Sequence, residues 1–230
     1  MQTLLASRLF TLCILAAGIA AHAQSPLTEW SNEALNIRFN YPSDLTKADS
    51  SQALKDGHLT LLGISGDSDP TLAAATRCLR PNLLLQLNPT AGSQKSATIL
   101  LAELDVSCLT PEQQVNAKDL LANMAELVTK VPGMSSIAPP AWYNVGWQKV
   151  HMAAAQGMPQ GGITPPGVTP PQLFTMGFST NWSNHLLVWY FSSNSTEELN
   201  RITKSTVRFG RSAAAPLYAS TIGNSSNSAQ

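Results

Sequence analysis

Beyond its N-terminal segment the chain carries three histidines, His58, His151 and His185, far apart and without paired spacing. A metal site needs His, Cys, Asp or Glu grouped at ligand spacing. Asp67-Ser68-Asp69 supplies two carboxylates, but between Gly66 and Pro70 it reads as a turn that lacks the remaining ligands. Serine-based acyl transfer needs an imidazole and an acid brought to the hydroxyl. Gly63-Ile64-Ser65-Gly66 breaks the spacing of a nucleophile elbow, which has glycine two residues to either side of the serine. Glu103 and Asp105 share a face near a strand end, where a solvated edge explains them. Gly161-Gly162 precedes no helix, so no phosphate loop or dinucleotide fingerprint is present. The expectation is a chain with no catalytic residue, no metal and no cofactor. The rival is an exported hydrolase whose serine, acid and His151 or His185 meet only in three dimensions.

What remains for function is aromatic. Trp142, Tyr143 and Trp147 cluster near one strand, and Trp182 stands beside His185 in a turn. Tryptophan is enriched among the residues that dominate binding surfaces. Trp147 and Trp189 sit inside apolar strand patterns and read as core. Trp142, Tyr143, Trp182 and His185 are therefore the candidate binding residues. They point to a non-catalytic accessory protein that takes a partner protein or an apolar small molecule on its sheet or loop surface.

The elements that must position these residues are mostly strands. Ile37-Arg38-Phe39-Asn40-Tyr41-Pro42 alternates apolar and polar residues and ends at proline, the pattern of a half-buried strand. Residues 24–35 before it form a polar, flexible lead-in. Between residues 48 and 70 the signals are weak: a short helix to Lys55, then a strand from His58 to Ile64. Asn82 to Leu87 and Ala97 to Leu104 form adjacent antiparallel strands. The run Leu83-Leu84-Leu85 requires apolar neighbours on both faces. Thr110, Pro111 and Gln113 open a helix whose apolar stripe runs from Ala117 to Val131 and stops at Pro132-Gly133. Strands follow at 142–155, 173–181 and 186–191, the last apolar throughout and hence interior. Ser195-Thr196-Glu197-Glu198 caps a short second helix, and Thr206 to Phe209 adds a final strand.

Residues 157–171 hold five prolines and four glycines and no charge, so they read as a surface loop inserted between strands. In extended form this loop offers a docking ligand, the basis of a third reading as a structural envelope component. Residues 211–230 have no apolar period and read as a disordered tail.

Composition and address narrow the classes. Of 230 residues, 43% are hydrophobic and 12% charged, too apolar for wholesale disorder. Fourteen Lys plus Arg balance fourteen Asp plus Glu, which excludes the basic footprint of a nucleic-acid binder. Residues 1–23 read as a signal peptide, with Arg8, an apolar run from Leu9 to Ala21, and the small-x-small end Ala21-His22-Ala23. No later segment is long and apolar enough to span a bilayer as a helix, so the mature chain is expected to be exported, periplasmic or extracellular. Cys78 and Cys108 then form either a disulfide or two buried free thiols. An oxidising compartment favours the bond, which closes a loop of about 30 residues and contributes roughly 3–4 kcal/mol.

The order of elements resembles a known family. Phe39-Asn40-Tyr41-Pro42 is similar to a motif near the start of PsbP/Mog1-like domains. A long middle helix, a strand pair with an inner glycine (Gly146), and a closing helix and strand with Glu198, Ser205 and Phe209 also resemble that family. The resemblance runs over about residues 30–210. It implies an α+β fold in residues 36–210, a single antiparallel sheet flanked by helices on both faces as a three-layer α/β/α sandwich. It carries no shared catalytic motif, and its members are accessory subunits, chaperones and binders of proteins or apolar ligands. The loop at 157–171 and the cysteine pair depart from the family pattern.

Overall fold

The structure is a computed structural model that describes residues 26–48, 81–93, 96–105, 110, 117–158 and 172–220. The eleven strands among them are β1 (Leu27–Asn32), β2 (Ile37–Pro42), β3 (Leu45–Lys47), β4 (Pro81–Pro89), β5 (Ala97–Asp105), β6 (Met134–Val145), β7 (Gln148–Gly157), β8 (Leu173–Trp182), β9 (His185–Ser193), β10 (Thr206–Phe209) and β11 (Ala215–Pro216). Two helices are described, α1 (Ala117–Lys130) and α2 (Thr196–Thr203). Ser195 caps α2 as its sequence demands, its side chain accepting from the Glu198 backbone N–H.

Two antiparallel sheets result. The small sheet runs β1-β2-β10-β11 and the large one β3-β4-β5-β9-β8-β7-β6. Alternation in β2 buries Ile37, Phe39 and Tyr41 and exposes Arg38. Those three meet Val207 and Phe209 of β10, and together they pack on Leu85, Ile99, Leu101, Phe178, Trp189 and Phe191 of the large sheet. Each such buried apolar side chain contributes about 1.5–3 kcal/mol relative to exposure. Trp182 ties the sheets by a polar contact as well, its indole N–H donating to the Leu35 carbonyl at 2.6 Å.

The three-layer α/β/α sandwich does not form. α1 lies on one face of the large sheet, against β6, β7, β8 and β9. Among the described residues the other face is covered by the small sheet, with the eight-residue α2 adding Leu199 and Ile202 at its side. The doubly apolar run of β9 demands cover on both faces, but such a run does not specify whether a helix or a sheet supplies it. The cover here comes from strands at opposite ends of the sequence, since Phe39 pairs with Val207.

Two further expectations fail with it. Residues 24–35 were expected to be a flexible lead-in, yet β1 occupies Leu27–Asn32 and pairs along its whole length with β2. Of residues 211–230, expected as a disordered tail, the described part to Ser220 carries β11 paired with β10 and the fully buried Leu217, while residues 221–230 lie outside the described residues. The first stretch is polar and the second lacks an apolar period, but strand formation depends on tertiary context more than on intrinsic preference. The reading of Trp147 as core is also overturned: it stands at the β6–β7 turn with 62% of its surface exposed. The signal peptide (1–23), both cysteines (Cys78 and Cys108) and most of the 157–171 loop lie outside the described residues.

α1 sits close on its sheet because residues beneath it are small. Ala153, Ala155 and Gly177 form that floor, and a Cβ on Gly177 would lie 2.3 Å from the Ala125 carbonyl oxygen. The Tyr190 hydroxyl donates to the Met124 carbonyl at 2.6 Å, and His151 Nε2 lies 3.0 Å from Glu126 Oε1. Close packing and two polar tethers fix the helix over β7, β8 and β9. Among the described residues, no helix is long and apolar enough to cross a membrane.

Candidate functional site

Across the large sheet, Ala153, Gly177, Tyr190, Leu100 and Gln86 fall in one row, each paired with the next by strand register. α1 occupies the Ala153–Gly177 end of that row. At the other end a hollow of about 430 Å³ opens between the C-terminal turn of α1, the start of β6 and the face of β4, β5, β8 and β9. Its apolar wall is Leu100, Val128, Val131, Met134, Leu173 and the Tyr190 ring. Gln86, Asn88, Thr98, Thr175 and Ser192 add neutral polar groups, and no charged side chain is among its described lining residues. Its volume lies within the usual range for small-molecule pockets.

The polar groups of the hollow differ in how well they are used. Asn88 Oδ1 accepts from Thr98 Oγ1 at 3.5 Å, a long bond. Thr175 Oγ1 reaches the Ala155 carbonyl at the same length. Gln86 Oε1 is shielded from solvent and has no hydrogen-bond partner among the described residues. The Tyr190 hydroxyl is spent on Met124, and burial raises its pKa well above that of a free phenol, so it stays protonated and presents only its ring. This arrangement can hold an apolar body; its described lining residues include no His, Cys, Lys or carboxylate.

The candidate residues from the sequence lie elsewhere: Trp182 and His185 are register partners at one hairpin, while Trp142 and Tyr143 are consecutive on β6. Trp142, on the edge strand β6, is half-buried, with its ring centroid 4.6 Å from that of His151 and Lys149 Nζ 5.3 Å from its ring. Tyr143 donates its hydroxyl to the Leu217 carbonyl and stands edge-on to Tyr218, so it holds down the C-terminal strand; desolvation raises its pKa. Trp182 packs on Phe209 at 5.3 Å and is committed to the sheet junction through Leu35. His185 places Nδ1 3.5 Å from Glu103 Oε2, while Glu103 Oε1 accepts from Asn82 at 2.6 Å.

The hydrolase reading asked for one imidazole near both an acid and a hydroxyl. His151 is 4% exposed, with Glu126 on Nε2 and no partner on Nδ1 among the described residues. Ser179 is paired opposite it by register but is fully buried and engaged in an interaction of its own. Neither His151 nor His185 has both groups at hydrogen-bonding distance among the described residues. No cluster of three metal-binding side chains occurs among them either. His58, Ser65, Asp67 and Asp69 lie outside the described residues.

Reading the sequence missed every wall of the hollow. One signal was available: Gln86 is the sole polar residue in Leu83-Leu84-Leu85-Gln86-Leu87, an amide on a strand otherwise covered on both faces.

No family model matches the chain, and no curated protein matches it. Among solved structures it is similar to the solution structure of cyanobacterial PsbP (CyanoP) from Synechocystis sp. PCC 6803. The identity is 11%, over 79% of this chain and 88% of that chain, with a TM-score of 0.41.

Proposed function

We propose that this is a non-catalytic accessory protein that binds a largely apolar small molecule in the hollow beside α1. The observation that carries the reading is the hollow itself, about 430 Å³ with an aliphatic wall and no charged group among its described lining residues. Export of the trimmed chain, from the leader-like segment 1–23, belongs to the same proposal. The test is binding of a neutral solvatochromic dye, Nile red, to the purified chain. Val131→Trp fills the hollow from the end of α1 and should weaken binding by about tenfold or more, equivalent to roughly 1.4 kcal/mol. Equal dye affinity in the variant refutes the site.

A second reading is favoured by one observation. Trp147 is 62% exposed at the tip of the β6–β7 hairpin, where Gly146 takes φ +61° to make the turn, and its ring lies 5.4 Å from Trp182. An exposed tryptophan backed by a second ring suits a partner-protein anchor. Trp142 and Lys149 lie further along the same strand pair. Under this reading, Trp147→Ala abolishes capture of a partner from envelope extract and leaves dye binding unchanged; unaltered recovery of every partner overturns it.

A further inference from the structure

We infer that the ligand of the hollow is a neutral amphiphile with one hydrogen-bond-donating end, and that Gln86 selects for that end. The inference rests on the hollow being a ligand site. Leu85 and Leu87 are both fully buried on the inter-sheet side of β4, so alternation turns Gln86 to the opposite face, where it borders the hollow. An amide there is conspicuous, because an aliphatic side chain of similar size would complete the wall. Its Oε1 has no hydrogen-bond partner among the described residues. An acceptor left unmade and shielded from solvent costs free energy that a hydroxyl or N–H donor restores. Oε1 has almost no accessible surface as it stands, and because the last torsion of glutamine is broad and roughly two-fold, rotation about it would bring the amide oxygen to the hollow without leaving its rotamer.

The wall argues for the rest of the ligand. Leu100, Val128, Val131, Met134 and Leu173 present only hydrocarbon and thioether. A carboxylate or ammonium end would be buried without a counter-charge among the described lining residues, which disfavours ionic lipids. The class is therefore an uncharged alcohol or amide on an aliphatic body.

The experiment uses displacement of Nile red from the full chain by 1-decanol, decyl methyl ether and decanoate. The wild type should prefer decanol to the ether by about threefold to tenfold, the range of one net hydrogen bond. Decanoate should compete least. Gln86→Leu should bring the alcohol-to-ether ratio to about one while the ether binds at least as well as before. Gln86→Met, which keeps the unbranched shape, should behave the same and covers the case in which the branched side chain misfolds. A wild type that does not distinguish alcohol from ether overturns the role of Gln86 but leaves the hollow as a ligand site. A preference that survives in both variants does the same. A wild type that binds neither the dye nor any competitor overturns both the inference and the reading beneath it.

Discussion

Replacing Gly177 with alanine tests how α1 is held, and with it the geometry of the hollow. The added Cβ would meet the Ala125 carbonyl oxygen at 2.3 Å, about 1 Å inside ordinary contact, and the Ala125 carbonyl carbon at 3.1 Å. The obstacle is helix backbone, which cannot rotate aside as a side chain would, so α1 must lift. It is not free to do so, because Tyr190 and Met124 tether it from below and the His151–Glu126 pair lies one strand away. Overpacking of this kind costs about 1–3 kcal/mol. Alanine recovers up to about 1 kcal/mol through its lower backbone entropy in a strand. The net expectation is a loss of about 1–2 kcal/mol, which for a domain of this size lowers Tm by about 2–8 °C. Differential scanning calorimetry at fixed pH measures it. If tethering is what makes the helix resist, then Gly177→Ala combined with Tyr190→Phe should cost less than the two alone, by about 0.5 kcal/mol or more. Because Val128 and Val131 belong to the same helix end, Nile red affinity should change as well. An unchanged or higher Tm would show that α1 is not in close contact with β8. Strict additivity would show that the Tyr190 tether is irrelevant to its position.

Other expectations follow from single contacts. Tyr143 and Tyr190 have pKa values raised by burial, so in a titration followed at the phenolate band they should stay protonated above pH 10, where a free tyrosine ionises. A group whose folded pKa is raised stabilises the fold fully below the unfolded value and loses that contribution as pH rises, so the late ionisation should coincide with alkaline unfolding. Trp182→Phe removes the indole bond to Leu35 and leaves a carbonyl unpaired at the sheet junction, at about 1–2 kcal/mol. Trp147→Ala, a few residues away in space but mostly exposed, should cost under about 1 kcal/mol by the same melting assay. We also propose that Cys78 and Cys108 are bonded. Reduction should then raise the mass of the exported chain by two hydrogens, and free thiols in protein from an oxidising compartment would refute it.

Local elements were legible because their causes are local. The alternation in Ile37–Pro42, the stop of the long helix before Pro132-Gly133 and the Ser195 cap each depend on neighbours within a few residues and form as read, while residues 111–116, where that helix is expected to open, lie outside the described residues. The Ser183-Asn184 turn was placed from the residues around it, and both residues take positive φ, as the tightest hairpin turns demand. Edges were harder. β1 and β11 carry little apolar periodicity, and their order comes from pairing with β2 and β10, partners that no window on the sequence reveals. Trp147 failed for a related reason: it follows Gly146 at a turn, and an apolar residue at the tip of a hairpin has the same sequence neighbourhood as one just inside the strand.

The hollow was illegible for a different reason, and that reason bears on its function. Each of its residues has an ordinary role in its own element: Val128 on a helix stripe, Leu100 on a strand, Tyr190 in an interior run. The hollow exists because α1 is drawn to one side of the sheet. Ala153, Ala155 and Gly177 let the helix sink there, while Tyr190 and Leu100 are too large to admit it further along the same row. A gradient of side-chain size across four strands thus decides where the helix stops and where space remains. If that gradient creates the site, enlarging the floor under α1 should close or reshape it from a distance. Gly177→Ala does this without substituting a lining residue, so a change in dye affinity there would connect packing to binding more directly than a substitution in the wall.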